Sequence, residues 1–153
     1  MKENSNINVE QPIGRVLSLI GRNYLLALNQ RLKQVDIERN YYALLIIDQF
    51  DGDLTQQELA NLLCSDKVSV VRIIDYLSEN GYVVRAKNSD DRRKYAITVT
   101  EKAKKEIENI KNAINENNAF AFSGLKEDEI QSFMQTLAKI NNNLKHSISN
   151  LCE

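Results

Sequence analysis

The chain has 153 residues, 42% of them hydrophobic and 27% charged, with one proline and five glycines. That is enough apolar material for one domain with a real core, and it excludes disordered, collagen-like and low-complexity classes. Twenty Lys and Arg against 21 Asp and Glu leave a formal charge of −1, so overall charge argues neither for nor against a polyanionic partner.

In chain order, a polar tail leads to Pro12, which suits the first position of a helix because its missing N–H costs nothing there. Ile13, Val16, Leu17, Ile20, Tyr24, Ala27, Leu28 and Leu32 then recur at helical spacing. A second helix is expected over about Arg39 to Gln49, with Tyr41, Leu44, Leu45 and Asp48 on one period, ending at the turn Asp51-Gly52-Asp53. Thr55-Gln56-Gln57-Glu58 has the form of a capping box. It opens a short third helix whose apolar face is Leu59, Ala60, Leu62 and Leu63. After a tight break at Cys64-Ser65, a fourth helix starts near Asp66, an acid suited to the positive end of the helix dipole. Val70, Ile73, Ile74 and Leu77 are its inward positions, and Asn80-Gly81 closes it as a glycine C-cap.

The period then changes. Tyr82 to Lys87 is rich in strand formers, and Tyr95, Ile97 and Val99 alternate with Ala96, Thr98 and Thr100. The polar, charged stretch 88–94 between them makes a hairpin that projects into solvent. Helical spacing returns from Glu101 through Ile107, Ile110 and Ile114, and Ser123-Gly124 interrupts it. The last helix carries Ile130, Phe133, Leu137, Ile140, Leu144 and Leu151 in steps of three, four and seven, a heptad seam.

Residue supply limits the chemistry. There is a single histidine, His146, and the two cysteines, Cys64 and Cys152, are far apart. No CxxC, HxxxH or HExxH spacing and no phosphate-binding glycine loop occurs. An enzyme, a metal site and a cofactor are therefore not expected. The longest apolar run, Tyr41 to Ile47, is too short to span a bilayer, and the first residues have no signal-peptide core. A soluble, cytoplasmic protein without a membrane partner is the expectation.

Helix–turn–helix followed at once by a β-hairpin is the winged helix–turn–helix arrangement, whose second helix is sized for a DNA major groove. From Ser65 to Lys105 there are ten basic residues against six acids, a charge of +4, and the remainder carries −5. A near-neutral chain thus concentrates positive charge on the proposed reading head, where phosphate contacts need it. Lys67, Val68, Ser69, Val71, Arg72 and Tyr76 are candidate DNA contacts on the helix. Ser65 is one at its start, and Asp91, Arg92, Arg93 and Lys94 are candidates in the hairpin. Ile13, Leu17 and Ile20, with Ile130, Phe133, Leu137, Ile140, Leu144 and Leu151, are candidates for dimer contact. A helix ending the chain in leucines has few intrachain partners left.

The run Glu58-Leu59-Ala60, then Asp66 to Leu77, then Gly81-Tyr82-Val83-Val84-Arg85, then Asp90-Asp91-Arg92-Arg93, then Val99-Thr100-Glu101-Lys102 resembles the MarR family of bacterial transcription regulators, and the resemblance covers the whole chain. It implies a mainly α fold with a small β-hairpin wing and a single domain over 1–153. About 36–100 would form the winged head, and about 10–35 and 101–153 would be interlaced dimerisation helices. It implies a homodimer bound to double-stranded DNA at a pseudo-palindromic operator, more readily as a repressor, since the chain has no extra domain to recruit polymerase. It also implies that Arg93 enters a minor groove, where a narrow A·T-rich tract attracts it. Asp91 would orient Arg93 or pair with Arg72. Members bind small, often phenolic, anions. Here Arg15, Tyr24, Arg39, Tyr41 and Tyr42 are the candidate lining for a small aromatic or anionic effector, although core and dimer packing also accounts for them. Two departures from the family pattern are Val68 and Val71, where members often have polar residues, and Ala103, where a glycine is common. Redox-sensing members carry the reactive cysteine in the first helix, and this first helix has none. A winged-helix module for protein contacts and a thiol-based regulator remain the alternatives.

Overall fold

The computed structural model describes residues 10–33, 35, 37, 40–87 and 95–151. Among them, six helices and one hairpin run in order: α1 (Ile13–Arg31), α2 (Tyr41–Phe50), α3 (Gln56–Leu62), α4 (Lys67–Glu79), β1 (Val83–Lys87), β2 (Tyr95–Val99), α5 (Glu101–Ala121) and α6 (Glu127–Leu151). The fold is mainly α with a small two-stranded wing, as the sequence pattern implies.

Local chemistry explains the boundaries. Pro12 precedes α1, and its carbonyl accepts the first bonds of the helix. At α3 the capping box is complete. The Glu58 N–H donates to Thr55 Oγ1 at 3.2 Å, and the Thr55 N–H donates to Glu58 Oε2 at 2.8 Å. Gly81 closes α4 at φ +71°, and Gly124 separates α5 from α6 at φ +85°, a conformation that favours glycine. Helix α2 begins at Tyr41, two residues later than expected. Its buried face is Ala43, Leu44, Ile46 and Ile47, wider than the single period read from sequence, with Tyr41, Leu45 and Asp48 on its margins. In α3, Leu62 lies outside the core, 46% exposed. Seven residues make two turns, too few to turn all four apolar positions inward.

By its contacts the chain forms two compact units, one through Asn117 and the other from Asn118. The first has a continuous core. Leu28 and Leu32 of the α1 end, Ile37, the α2 face, Leu54, Leu59, and Val70, Ile74 and Leu77 of α4 contribute. Tyr82 and Val83 beside the wing, Ile97, and Ile107 and Ile110 of α5 complete it. The hairpin is antiparallel in the register Val83↔Val99, Arg85↔Ile97. Val83 and Ile97 are buried, and Val84 and Arg85 are exposed. In the second unit no described side chain is buried. Phe133 and Leu144 of the α6 heptad are exposed, and Ile130, Leu137 and Ile140 are half-exposed. Ile13 and Ile20 of α1 also stand exposed, at 55% and 43%. These are large apolar side chains that the single chain leaves uncovered.

Candidate nucleic-acid interface

Helix α4 stands on the core by its i, i+4, i+7 stripe Val70, Ile74 and Leu77, each 0% exposed. The opposite face carries Val68, Val71, Arg72, Asp75 and Glu79, with Lys67 at its first turn. The first turn is tightly capped. The Ser69 N–H donates to Asp66 Oδ1 at 2.9 Å and the Ser69 hydroxyl to Asp66 Oδ2 at 2.6 Å. These bonds, the hydroxyl's first, hold the Asp66 carboxyl below the usual carboxylate range. The Ser69 hydroxyl is therefore a capping donor, and only its lone pairs remain to face outward. Ser65 is half-buried in the preceding turn, its N–H donating to Ala60 O. Tyr76 is half-buried and packs against the core on the flank of the helix, away from the centre of the outward face.

The far end of α4 is fastened to the first turn of α5. The Thr100 hydroxyl donates to Gly81 O at 2.7 Å, the Thr100 N–H to Tyr82 O at 3.0 Å and Lys102 Nζ to Asn80 O at 2.8 Å. The same ammonium lies 4.3 Å from the centre of the Tyr82 ring, a cation–π distance. The wing root is tied to the helix by Arg85 of β1, whose guanidinium donates to Asp75 Oδ1. That pair neutralises an acid on the outward side of α4. Neither connection is legible in the sequence, because the partners are ten and some twenty residues apart and meet only after the chain turns at Gly81. Of the other hairpin candidates, Asp91, Arg92, Arg93 and Lys94 lie outside the described residues.

A second feature lies between α1 and α2. A cleft of about 510 Å³ is lined by Arg22, Leu25, Leu26, Asn29, Tyr41 and Tyr42, within the size range of small-ligand sites. Of the residues named from sequence, Tyr41 and Tyr42 line it and Arg15 does not. Arg22, two turns further along α1, supplies the cation. Tyr24 does not line the cleft, and its carbonyl accepts a bond from the buried Asn117 Nδ2 of α5 at 3.3 Å. Arg39 lies outside the described residues. Burial, and then the neighbouring Tyr24 phenol, raise the Tyr41 hydroxyl above its ordinary range, so it stays protonated and can donate. Leu25, Leu26 and Asn29 were not singled out from sequence, since their spacing reads equally as a wet helix face.

Cys64 is exposed and sits in the α3–α4 turn with φ +48°. Among the described residues no group of His, Cys, Asp and Glu is placed to hold a metal ion, and no helix is long and apolar enough to cross a membrane.

The sequence model of the MarR family matches residues 38–95, the span from the start of α2 to the wing. Among solved structures, the transcriptional regulator SlyA superposes with a TM-score of 0.81 at 25% identity, covering 90% of this chain and 96% of that one. A MarR family transcriptional regulator from a Rhodococcus species superposes at 0.74 with 26% identity, covering 87% and 94%. A MarR family transcriptional regulator from Listeria monocytogenes, solved in complex with 26mer DNA, superposes at 0.80 with 24% identity over 88% and 89% of the two chains. The family's sequence pattern lies over residues 38–95, and the fold of these solved regulators extends over most of the chain.

Proposed function

We propose that the protein is a homodimeric, sequence-specific DNA-binding repressor. It would act in the cytoplasm on a pseudo-palindromic operator and be released by a small ligand. The outward face of α4 carries this reading. It presents Lys67 and Arg72 beside uncovered side chains, stands on a buried stripe, and is held at both ends by the Asp66 cap and the Thr100–Lys102 joint. A helix so fixed can offer one face to a major groove with little loss of conformational entropy. In this reading residues 36–100 form the head, with Arg92, Arg93 and Lys94 at the wing. Residues 10–35 and 101–153 form the dimer helices, which would cover the exposed apolar residues of α1 and α6.

The test is a pair of salt titrations by fluorescence anisotropy, on a duplex enriched from random DNA and on its scrambled version. Arg93→Ala should lower the slope of log K against log salt by about 1 per head on both duplexes. Arg72→Ala should cost about 1–3 kcal/mol per head on the enriched sequence only, if it reads a guanine edge. Equal and weak binding of both duplexes by the unaltered protein would favour a protein-contact module instead.

The cleft between α1 and α2 favours a ligand-responsive regulator over a constitutive one. Arg22 offers charge, Tyr41 a hydroxyl donor, and Leu25 and Leu26 apolar walls, which together suit an aromatic anion. Salicylate or benzoate should weaken DNA binding, and Arg22→Ala should abolish that response while leaving ligand-free DNA binding within about twofold, a change under about 0.5 kcal/mol.

A further inference from the structure

The reading face of α4 has an unusual centre. Val68 is 62% exposed and Val71 39% exposed, although valine is a poorer helix former than alanine and gains nothing from water. Two of the polar side chains around them are engaged. The Ser69 hydroxyl donates to Asp66, and Asp75 holds Arg85. Beside Val71 lies a recess of about 280 Å³, lined also by Gln56, Gln57 and Lys67. In the major groove the base edges offer hydrogen-bonding atoms and a single kind of apolar group, the C5-methyl of thymine.

We infer that Val68 and Val71 read thymine methyl groups, so that the preferred half-site carries T·A pairs beneath the first two turns of α4. This inference rests on the reading of α4 as a DNA-reading helix and adds the class of base pair it selects. Lys67 and Arg72 flank the two valines and place the helix by charge. The valines then discriminate by burying a methyl that cytosine lacks. Loss of one such contact is worth about fourfold in affinity, the factor expected from burying one methyl-sized group.

The experiment starts from a duplex enriched from random DNA by the full chain. Each thymine is replaced in turn by deoxyuridine, which removes the C5-methyl and keeps the pairing atoms. The unaltered protein should lose about fourfold at one or two thymines in each half-site. Val68→Ala and Val71→Ala should each lose sensitivity at one of those positions and keep it at the other. Both variants replace an exposed valine with a better helix former, and unchanged circular dichroism verifies the fold. Binding of every deoxyuridine duplex within about twofold of the parent, or full thymine sensitivity in both valine variants, would overturn the inference and leave DNA binding intact. Failure to enrich any sequence would overturn the DNA reading itself, and this inference with it.

Discussion

At Gly52 the α2–α3 turn passes close to the wing. The φ of Gly52 is +92°, and a Cβ built there would stand 2.8 Å from Thr98 Cγ2 of β2. Gly52→Ala therefore meets two separate penalties. A left-handed backbone costs a non-glycine residue about 1–2 kcal/mol. Carbon–carbon contacts are ordinarily about 3.5–4.0 Å, so the methyl must displace Thr98, and overpacking of this kind costs about 1–3 kcal/mol. Alanine narrows the unfolded ensemble and returns about 0.4–1 kcal/mol. The net loss is about 2–4 kcal/mol, or a fall in Tm of about 5–15 °C for a chain of this length. Thr98→Ser deletes Cγ2 alone. In the Gly52→Ala background it should recover the steric share, about 1–3 kcal/mol, and leave the backbone share untouched. Urea unfolding of the four proteins followed by circular dichroism, at one fixed protein concentration, measures the coupling. A Gly52→Ala protein as stable as its parent, or a cycle with no coupling, would refute the close packing of turn against strand.

Asp66 gives a pH prediction. Its folded pKa is depressed, so its contribution is present above the unfolded carboxylate range near about 4 and is lost as pH falls through the folded value. Asp66→Asn should flatten that part of the acid-unfolding curve and lower stability at neutral pH, where the ionised cap contributes, with little change at the acid end. Arg85→Ala leaves Asp75 unpaired on the face of α4 proposed to read DNA. It should weaken DNA binding by about 1 kcal/mol, more at low salt, and Asp75→Asn in the same chain should recover it. Phe133→Asp alters an exposed side chain of α6, so it should leave the folded protomer intact, while raising the dissociation constant of the proposed dimer at least about tenfold in light scattering. Cys64→Ser should leave both DNA binding and its response to peroxide unchanged. Release of DNA by peroxide from the parent but not from this variant would favour the thiol reading.

Much of this architecture is written in local signals. The capping box at Thr55–Glu58, the acid at Asp66, the glycine after Asn80 and the alternation from Tyr95 to Val99 each act within a few residues. Each therefore places its element correctly from sequence. What escapes such reading is whatever depends on two distant segments meeting. The Arg85–Asp75 pair and the Thr100–Lys102 joint are of this kind. Asn117 is another case. Its spacing reads as one more polar position of α5, yet it is 1% exposed, and its Nδ2 reaches the α1 backbone.

The three bonds from Thr100 and Lys102 to residues 80–82 have a mechanical consequence. The first turn of α5 acts as a splint on the end of α4, so a swivel of α4 must either carry α5 with it or break these bonds. At 1.5 Å per residue, the 21 residues of α5 make a rod of about 30 Å. A tilt of about 5° in such a rod displaces one end against the other by about 2.6 Å, close to the 3.4 Å rise of a base pair along one DNA strand. If α4 reads DNA as proposed above, a slight rotation at the distal end would translate into a misregister of most of a base step, and the fastening at Lys102 would help carry that motion to α4.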